Sequence, residues 1–128
     1  MEKDFFNMLS NAIIDTQVDG KNILYFSGKF AGYNYFKVKN VKNIEGLEKL
    51  LDRILKELLI GSVEDIVKKH NKLVIKIRGD LKPKKYFLTG FITGMVSKAL
   101  NYNFYKFTGK EIAGGSNGSY CNFEITSI

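Results

Sequence analysis

Cysteine, histidine, proline and tryptophan are the residues that this chain nearly lacks: 128 residues contain one Cys, one His, one Pro and no Trp. The lone Cys121 excludes an internal disulfide framework and a cysteine-rich zinc site. It suits a reducing compartment. No apolar run approaches the roughly 18–20 residues of a membrane-spanning helix, and the N-terminus lacks the basic and apolar stretches of a signal peptide. We therefore expect a cytoplasmic protein.

Signatures of catalysis are also missing. The sequence contains no Gly-rich phosphate loop, nucleophile elbow, metal-ligand spacing or dinucleotide fingerprint. We interpret His70 as an exposed turn residue and Cys121 as a small side chain packed within a strand. We expect no enzymatic activity, no metal and no cofactor.

Acidic residues are outnumbered: 20 Lys and Arg face 13 Asp and Glu, which gives a net charge of +7. A basic cluster comprises Lys68, Lys69, Lys72, Lys76, Arg78, Lys82, Lys84 and Lys85. Lysine runs of this kind usually form solvated surfaces of strands and loops. Arg, the better reader of bases and phosphates, occurs only twice. Nucleic-acid binding through this cluster is therefore our third hypothesis.

The chain is long enough for one core, and we treat residues 1–128 as a single domain. Residues 44–60 have apolar side chains at three- and four-residue intervals, with charged side chains between them. This pattern predicts a half-buried helix. Gly61 follows at the place where a helix-terminating glycine is common.

Two β-hairpins are predicted. Leu73, Ile75 and Ile77 alternate with Lys72, Val74, Lys76 and Arg78, and residues 63–69 can pair with them through a turn at His70-Asn71. The second hairpin joins residues 104–108 to residues 120–125 through a Gly-rich loop with turn chemistry at Asn117-Gly118.

Two further segments carry glycines four residues apart. Residues 84–100 predict an apolar helix with Gly90 and Gly94 on one face. Residues 21–36 repeat the spacing with Gly28 and Gly32, although Ile23-Leu24-Tyr25-Phe26 also has strand propensity. Residues 2–9 can form a short helix.

Three stretches follow one another along the chain: Leu88-Thr89-Gly90-Phe91-Ile92-Thr93-Gly94, then Glu111, then Gly118-Ser119-Tyr120-Cys121-Asn122-Phe123. Together with the order of the predicted elements, this arrangement resembles the 4-vinyl reductase domain family. Ile23 to Gly32 is similar to an earlier glycine-paired helix of that family, and so we interpret residues 21–36 as a helix. The resemblance implies an α+β fold with an antiparallel sheet from two hairpins packed with helices. This fold is shared with phenol- and xylene-sensing activators and with the TRAPP vesicle-tethering subunits.

The resemblance also implies a hydrophobic or aromatic ligand, or assembly into dimers. Many members carry a second cysteine about eight residues before the last, but here that position falls at Ala113 or Gly114. Zinc requires more sulfur or imidazole ligands than one Cys and one His supply, and none is expected.

A ligand pocket is predicted between the two glycine-paired helices. Its candidate residues are Tyr25, Phe30, Tyr33, Phe36, Phe87, Phe91, Gly94, Met95 and Glu111. The alternative is that the aromatic residues only fill the core and the glycines only allow close helix contact. Glu111 is either a surface residue or a polar anchor at the pocket mouth. The leading hypothesis is a homodimeric sensor or carrier domain for an apolar small molecule; the second is a TRAPP-like scaffold for protein assembly.

Overall fold

The computed structural model describes residues 20–79, 85–112 and 120–127. In chain order its elements are α1 (Gly20–Tyr33), α2 (Ile44–Glu57), β1 (Ser62–Lys69), β2 (Lys72–Arg78), α3 (Lys85–Ala99), β3 (Phe107–Ile112) and β4 (Tyr120–Ser127). Helices and one antiparallel sheet thus form an α+β domain, which confirms the predicted fold class. The predicted helix at residues 2–9 and the turn at Asn117-Gly118 lie outside the described residues.

Helix α2 forms where the apolar periodicity predicted it. The Asn43 side chain caps its start by accepting a hydrogen bond from the Gly46 backbone N–H at 2.8 Å. The apolar stripe of Leu47, Leu51 and Ile54 is completely buried against the sheet and the rest of the core. Amphipathic packing therefore fixes this helix over β1.

The end of α2 differs from the prediction. The helix ends at Glu57, and Leu58 follows as its C-cap, with its N–H donating to the Ile54 carbonyl. Leu59, not Gly61, then adopts the left-handed conformation, at φ +57°. Gly61 packs instead against the Arg78 carbonyl across the end of the first hairpin. The predicted role of Gly61 as a helix terminator is therefore wrong.

Leu59 is a site where one substitution is expected to stabilise the protein. Its side chain is 93% exposed, so it contributes no packing, while its backbone lies in a region that costs an L-residue roughly 1–2 kcal/mol. Asparagine tolerates this region, and we expect Leu59→Asn to raise the free energy of unfolding by about 0.5–1 kcal/mol. Urea denaturation would show this as a higher midpoint at an unchanged slope. A lower midpoint would contradict it.

The two predicted hairpins combine into one four-stranded sheet of order β1-β2-β4-β3, antiparallel throughout. The first hairpin turns at His70-Asn71, as predicted. One face of the sheet is buried: Leu73, Ile75 and Ile77 alternate inward as expected, beside Phe123 and Ile125 of β4. The other face carries exposed lysines.

Strand β3 begins later than predicted, at Phe107 instead of residue 104. The Asn103 side-chain oxygen accepts a hydrogen bond from the Tyr105 N–H at 2.9 Å, and the Asn103 backbone carbonyl accepts one from the Lys106 N–H at 2.9 Å. Asn favours such local turns over the extended ladder, and this preference overrides the strand propensity of Phe104 and Tyr105.

Helix α3 is central. The sheet lies on one side of it and α1 on the other, so that nearly its whole circumference is buried. The burial of α3 on nearly all sides agrees with the predicted all-round apolar helix. The interpretation of residues 21–36 as a helix is confirmed up to Tyr33. No helix in the described ranges is long and apolar enough to cross a membrane.

Candidate functional site

The predicted pocket residues of α3 lie inside the core. Phe91 is buried and Met95 is completely buried. Phe87 stacks on Phe91 with ring centroids 6.1 Å apart, and the Tyr35 ring centroid lies 5.8 Å from that of Phe91. A charge placed at Phe91 would therefore disturb packing before it could report on ligand binding.

The paired glycines close the interface between α1 and α3. The helices run parallel, with Gly28 against the Phe87 carbonyl and Gly32 against the Phe91 carbonyl. Reciprocally, Gly90 meets the Tyr25 carbonyl and Gly94 the Lys29 carbonyl. A Cβ atom at any of these positions would overlap the facing oxygen. Such close approach favours weak Cα–H···O contacts and leaves no ligand space between the backbones at this seam.

Two side chains of α1 cover the outer edge of the sheet. The Gly109 N–H donates to the Tyr25 hydroxyl at 2.7 Å, and the Lys29 ammonium donates to the Phe107 carbonyl at 2.5 Å. Strand β3 is the last strand in the sheet order, so these backbone groups have no strand partner among the described residues. Tyr25 and Lys29 lie one helical turn apart and form hydrogen bonds to backbone groups of this edge strand. Without these bonds the same groups could pair with a strand of another chain.

Lys29 is the least expected residue of this region. Its side chain is only 3% exposed, and burial lowers the pKa of its ammonium. Besides the Phe107 carbonyl it contacts the face of the Phe104 ring, 4.7 Å from its centroid. No carboxylate of the described residues lies within ion-pair distance of it. An ammonium with three donors is therefore buried without an opposite charge.

A ridge of apolar side chains on the outside of α1 lies beside this lysine. Ile23, Phe26 and Phe30 follow one another at three- and four-residue spacing, and Phe26 and Phe30 are 55% and 65% exposed. Phe104 meets Phe30 edge-on at 6.5 Å and contacts Tyr105, which is 75% exposed, at 5.0 Å. We call these five residues the α1 aromatic face.

The remaining predicted site residues divide between this face and other places. Tyr33 adjoins it, with its ring 5.6 Å from Phe104 and its hydroxyl donating to the Tyr102 carbonyl at 3.4 Å. Phe36 lies beyond the end of α1, exposed and in contact with Tyr35. Glu111 is half-buried in β3, directly opposite Phe123 of β4. The structure therefore brings Phe30 and Tyr33 together and leaves Phe36 and Glu111 apart from them.

Sequence reasoning missed Lys29, Phe26 and Phe104. The signal for Lys29 was present: once residues 21–36 are taken as a helix, its position next to Gly28 points toward the glycine seam. No comparable signal existed for Phe104, because it was assigned to a strand.

Other parts of the surface offer less. A shallow groove of about 270 Å³ is lined by Glu45, Glu48, Lys49, Asp52 and Val63, and four of these five residues are charged, which does not favour an apolar ligand. Partial burial acts to raise the pKa of Asp52. Hydrogen bonds from Lys56 and from the Val63 N–H outweigh this effect and hold the pKa below its usual value. Within the described ranges, no group of three or more His, Cys, Asp or Glu side chains is placed to hold a metal ion.

The described residues of the basic cluster, all but Lys82 and Lys84, lie on β1, β2 and α3. Lys72 and Arg78 are each paired with a carboxylate, Glu124 at 3.4 Å and Glu64 at 2.8 Å. Part of the cluster is therefore neutralised, in keeping with a solvated surface.

Comparison with solved structures gives a fold-level likeness to H-NOX domains. An H-NOX protein from K. algicida matches with a TM-score of 0.51 and 16% identity, covering 100% of this chain and 74% of that chain. An oxygen-binding H-NOX domain related to soluble guanylate cyclases matches with a TM-score of 0.51 and 17% identity, covering 88% of this chain and 64% of that one. A T. tengcongensis H-NOX protein matches with a TM-score of 0.50 and 16% identity, covering 88% of this chain and 66% of that chain. The chain thus spans less than two thirds of the length of the last two H-NOX proteins.

No protein-family model and no curated protein matches the sequence. At these identities the likeness concerns the fold alone. It supports an α+β architecture of the kind that these ligand-binding domains use, while membership of the 4-vinyl reductase domain family stays a prediction.

Haem, which one of the similar H-NOX structures concerns, does not fit between α1 and α3. Haem iron is typically held by His, Cys, Met or Tyr in a cavity that admits the porphyrin. The single histidine, His70, is exposed in the β1–β2 turn, and Cys121 lies within the sheet opposite Ile77. Backbone contact closes the α1–α3 seam, and Met95 is packed in the core.

Proposed function

We propose that this single domain is a non-catalytic binding module for a hydrophobic or aromatic small molecule, acting as a sensor or carrier. The observation that carries the proposal is the α1 aromatic face. Five apolar side chains from two chain segments adjoin one another at the surface, and three of them are more than half exposed. Contiguous exposed apolar surface usually marks a binding site.

The shape of this face suits a flat or elongated ligand. Phe30 and Phe104 meet edge-on, so an aromatic ring can stack on one and contact the edge of the other. Burying about 250 Å² of apolar ligand surface at ~25 cal/mol/Å² supplies about 6 kcal/mol before the costs of association. Binding in the micromolar range therefore needs no catalytic machinery.

A neutral aromatic probe tests the proposal. We expect N-phenyl-1-naphthylamine to bind the wild-type protein with increased fluorescence, and we expect Phe30→Asp to weaken this binding about tenfold or more, because a charge in the contact must be desolvated. Phe30 is largely exposed, so the melting temperature should change little.

Leu59→Asp is the matched control, since it places the same charge at another exposed apolar residue, just beyond the end of α2. It should bind the probe as the wild type does. Equal loss of binding in both variants, or no binding to the wild type, would refute the assignment of the site.

Assembly with a second copy is the alternative function, because the same exposed face would also suit a protein interface. It predicts that the protein sediments as a dimer and that Phe30→Asp converts it into a monomer. A monomeric wild type that binds the probe would remove this alternative.

A further inference from the structure

Lys29 places a positive charge beneath the α1 aromatic face. It is 3% exposed, and its ammonium lies 4.7 Å from the centroid of Phe104, which is itself part of that face. One backbone carbonyl is its hydrogen-bond partner, at 2.5 Å. A buried ammonium normally has a carboxylate partner as well, because a lone carbonyl does not balance its charge.

The surroundings of the face are mainly basic. Residues 20–43 and 85–112, which contain the whole face, both glycine-paired helices and β3, include one acidic residue, Glu111. They include nine lysines: Lys21, Lys29, Lys37, Lys39, Lys42, Lys85, Lys98, Lys106 and Lys110. One of them, Lys98, lies over the Tyr33 ring beside the face, 5.1 Å from its centroid. Lys37 and Lys110 are paired with Glu57 and Glu124, and the other lysines leave the charge around this site mainly positive, which favours an anion.

We infer that the ligand of the α1 aromatic face is an aromatic or aliphatic carboxylate, whose apolar body lies on Phe26 and Phe30 and whose carboxylate binds the Lys29 ammonium. The inference rests on the proposed function and names the ligand class for the same site. Lys29 has three N–H donors, and the Phe107 carbonyl uses one of them. The other two can donate to carboxylate oxygens.

Phe104 controls access to Lys29. Its ring covers the ammonium, and it belongs to residues 100–106, which form neither helix nor strand between α3 and β3. A ligand carboxylate would replace the ring as the nearest neighbour of Lys29. The ring could then stack on the body of the ligand.

A matched pair of probes tests the inference: naphthalene-2-carboxylate and the neutral naphthalene-2-carboxamide, titrated against the whole chain by isothermal calorimetry at neutral pH. We expect the carboxylate to bind about tenfold tighter or more, the ratio that a charge-assisted hydrogen bond supplies. Lys29→Met should make the two affinities equal. Lys76→Met, which removes an exposed lysine from the opposite face of the sheet, should leave the ratio unchanged.

The outcomes separate this inference from the proposed function. If the carboxamide binds wild-type protein as tightly as the carboxylate, the inference is wrong and the proposed function stands. If Lys29→Met keeps the preference for the carboxylate, Lys29 only supports the edge of the sheet and the inference is wrong. If neither probe nor N-phenyl-1-naphthylamine binds, the proposed function fails and the inference fails with it.

Discussion

Replacing Gly90 with alanine is expected to lower the free energy of unfolding by about 3 kcal/mol or more, which is a large part of the 5–15 kcal/mol that stabilises a typical domain. The added Cβ would overlap the Tyr25 carbonyl oxygen and lie 2.7 Å from the Lys29 nitrogen. Both atoms belong to the backbone of α1, so no side-chain rotation can relieve the overlap. The two helices must move apart.

Separation of the helices has consequences beyond one contact. Gly28, Gly32 and Gly94 each face a carbonyl of the opposite helix in the same way. Movement at Gly90 therefore weakens the whole seam, and it withdraws Tyr25 from Gly109 at the edge of the sheet. The expected cost exceeds the usual range for a single added methyl group because the four contacts are coupled.

Gly46→Ala is the matched control for this experiment. Gly46 lies in the first turn of α2, where a Cβ would meet the Asn43 Oδ1 and the Val41 Cβ at 3.3 Å, contacts that need shifts of a few tenths of an ångström and no separation of two helices. Alanine has the higher helix propensity by about 1 kcal/mol, so this variant should be close to neutral or stabilised. Urea denaturation of both variants decides the question. A Gly90→Ala protein as stable as Gly46→Ala would show that the seam is not close-packed.

Local patterns were enough to predict elements whose formation depends on one buried face. The apolar stripe of α2 and the alternation of Leu73, Ile75 and Ile77 each specify a face that must turn inward, and both elements formed as expected. The ends of elements were less predictable. Leu59 takes the left-handed turn that was assigned to Gly61, because the chain leaves α2 two residues earlier than the glycine implied.

The candidate site depended on tertiary contacts that periodicity does not encode. The paired glycines predicted close helix contact, but the same spacing is compatible with a ligand between the helices, and only the positions of the facing carbonyls decide between them. Phe30 and Phe87 were expected to share one pocket. Instead Phe30 lies on the outer side of α1, because the glycines bring the other side of that helix against α3.

Lys29→Glu is expected to be among the most destabilising substitutions in the chain, at about 3–5 kcal/mol. A carboxylate at this position would be buried and would face the Phe107 carbonyl, which has no proton to donate. Lys29→Met keeps the length of the side chain and removes the charge, so it should lose much less stability than Lys29→Glu, with the cost limited to the Phe107 carbonyl that loses its donor. The two variants separate the charge of Lys29 from its packing.

The pH dependence of stability gives a second measure of the same charge. Burial lowers the pKa of Lys29 in the folded protein below the 10.5 of an unfolded chain. Between these two values the unfolded state binds more protons, so stability rises with pH through this window. Below the folded pKa the destabilising contribution is complete, and it disappears as the pH approaches 10.5. The free energy of unfolding of the wild type, relative to Lys29→Met, should therefore increase as pH rises from neutrality toward 10.5.

Taking this difference isolates Lys29 from the other ionisable groups around it. Tyr25 and Tyr33 on α1, Tyr86 and Lys98 on α3, and Lys110 and Glu111 on β3 are present in both proteins, so their contributions largely cancel. Urea denaturation at several pH values gives the curve. A difference that is flat with pH would mean that Lys29 carries its charge as easily as an exposed lysine does. The premise of the carboxylate-ligand proposal, a buried ammonium whose charge no carboxylate balances, would then be wrong.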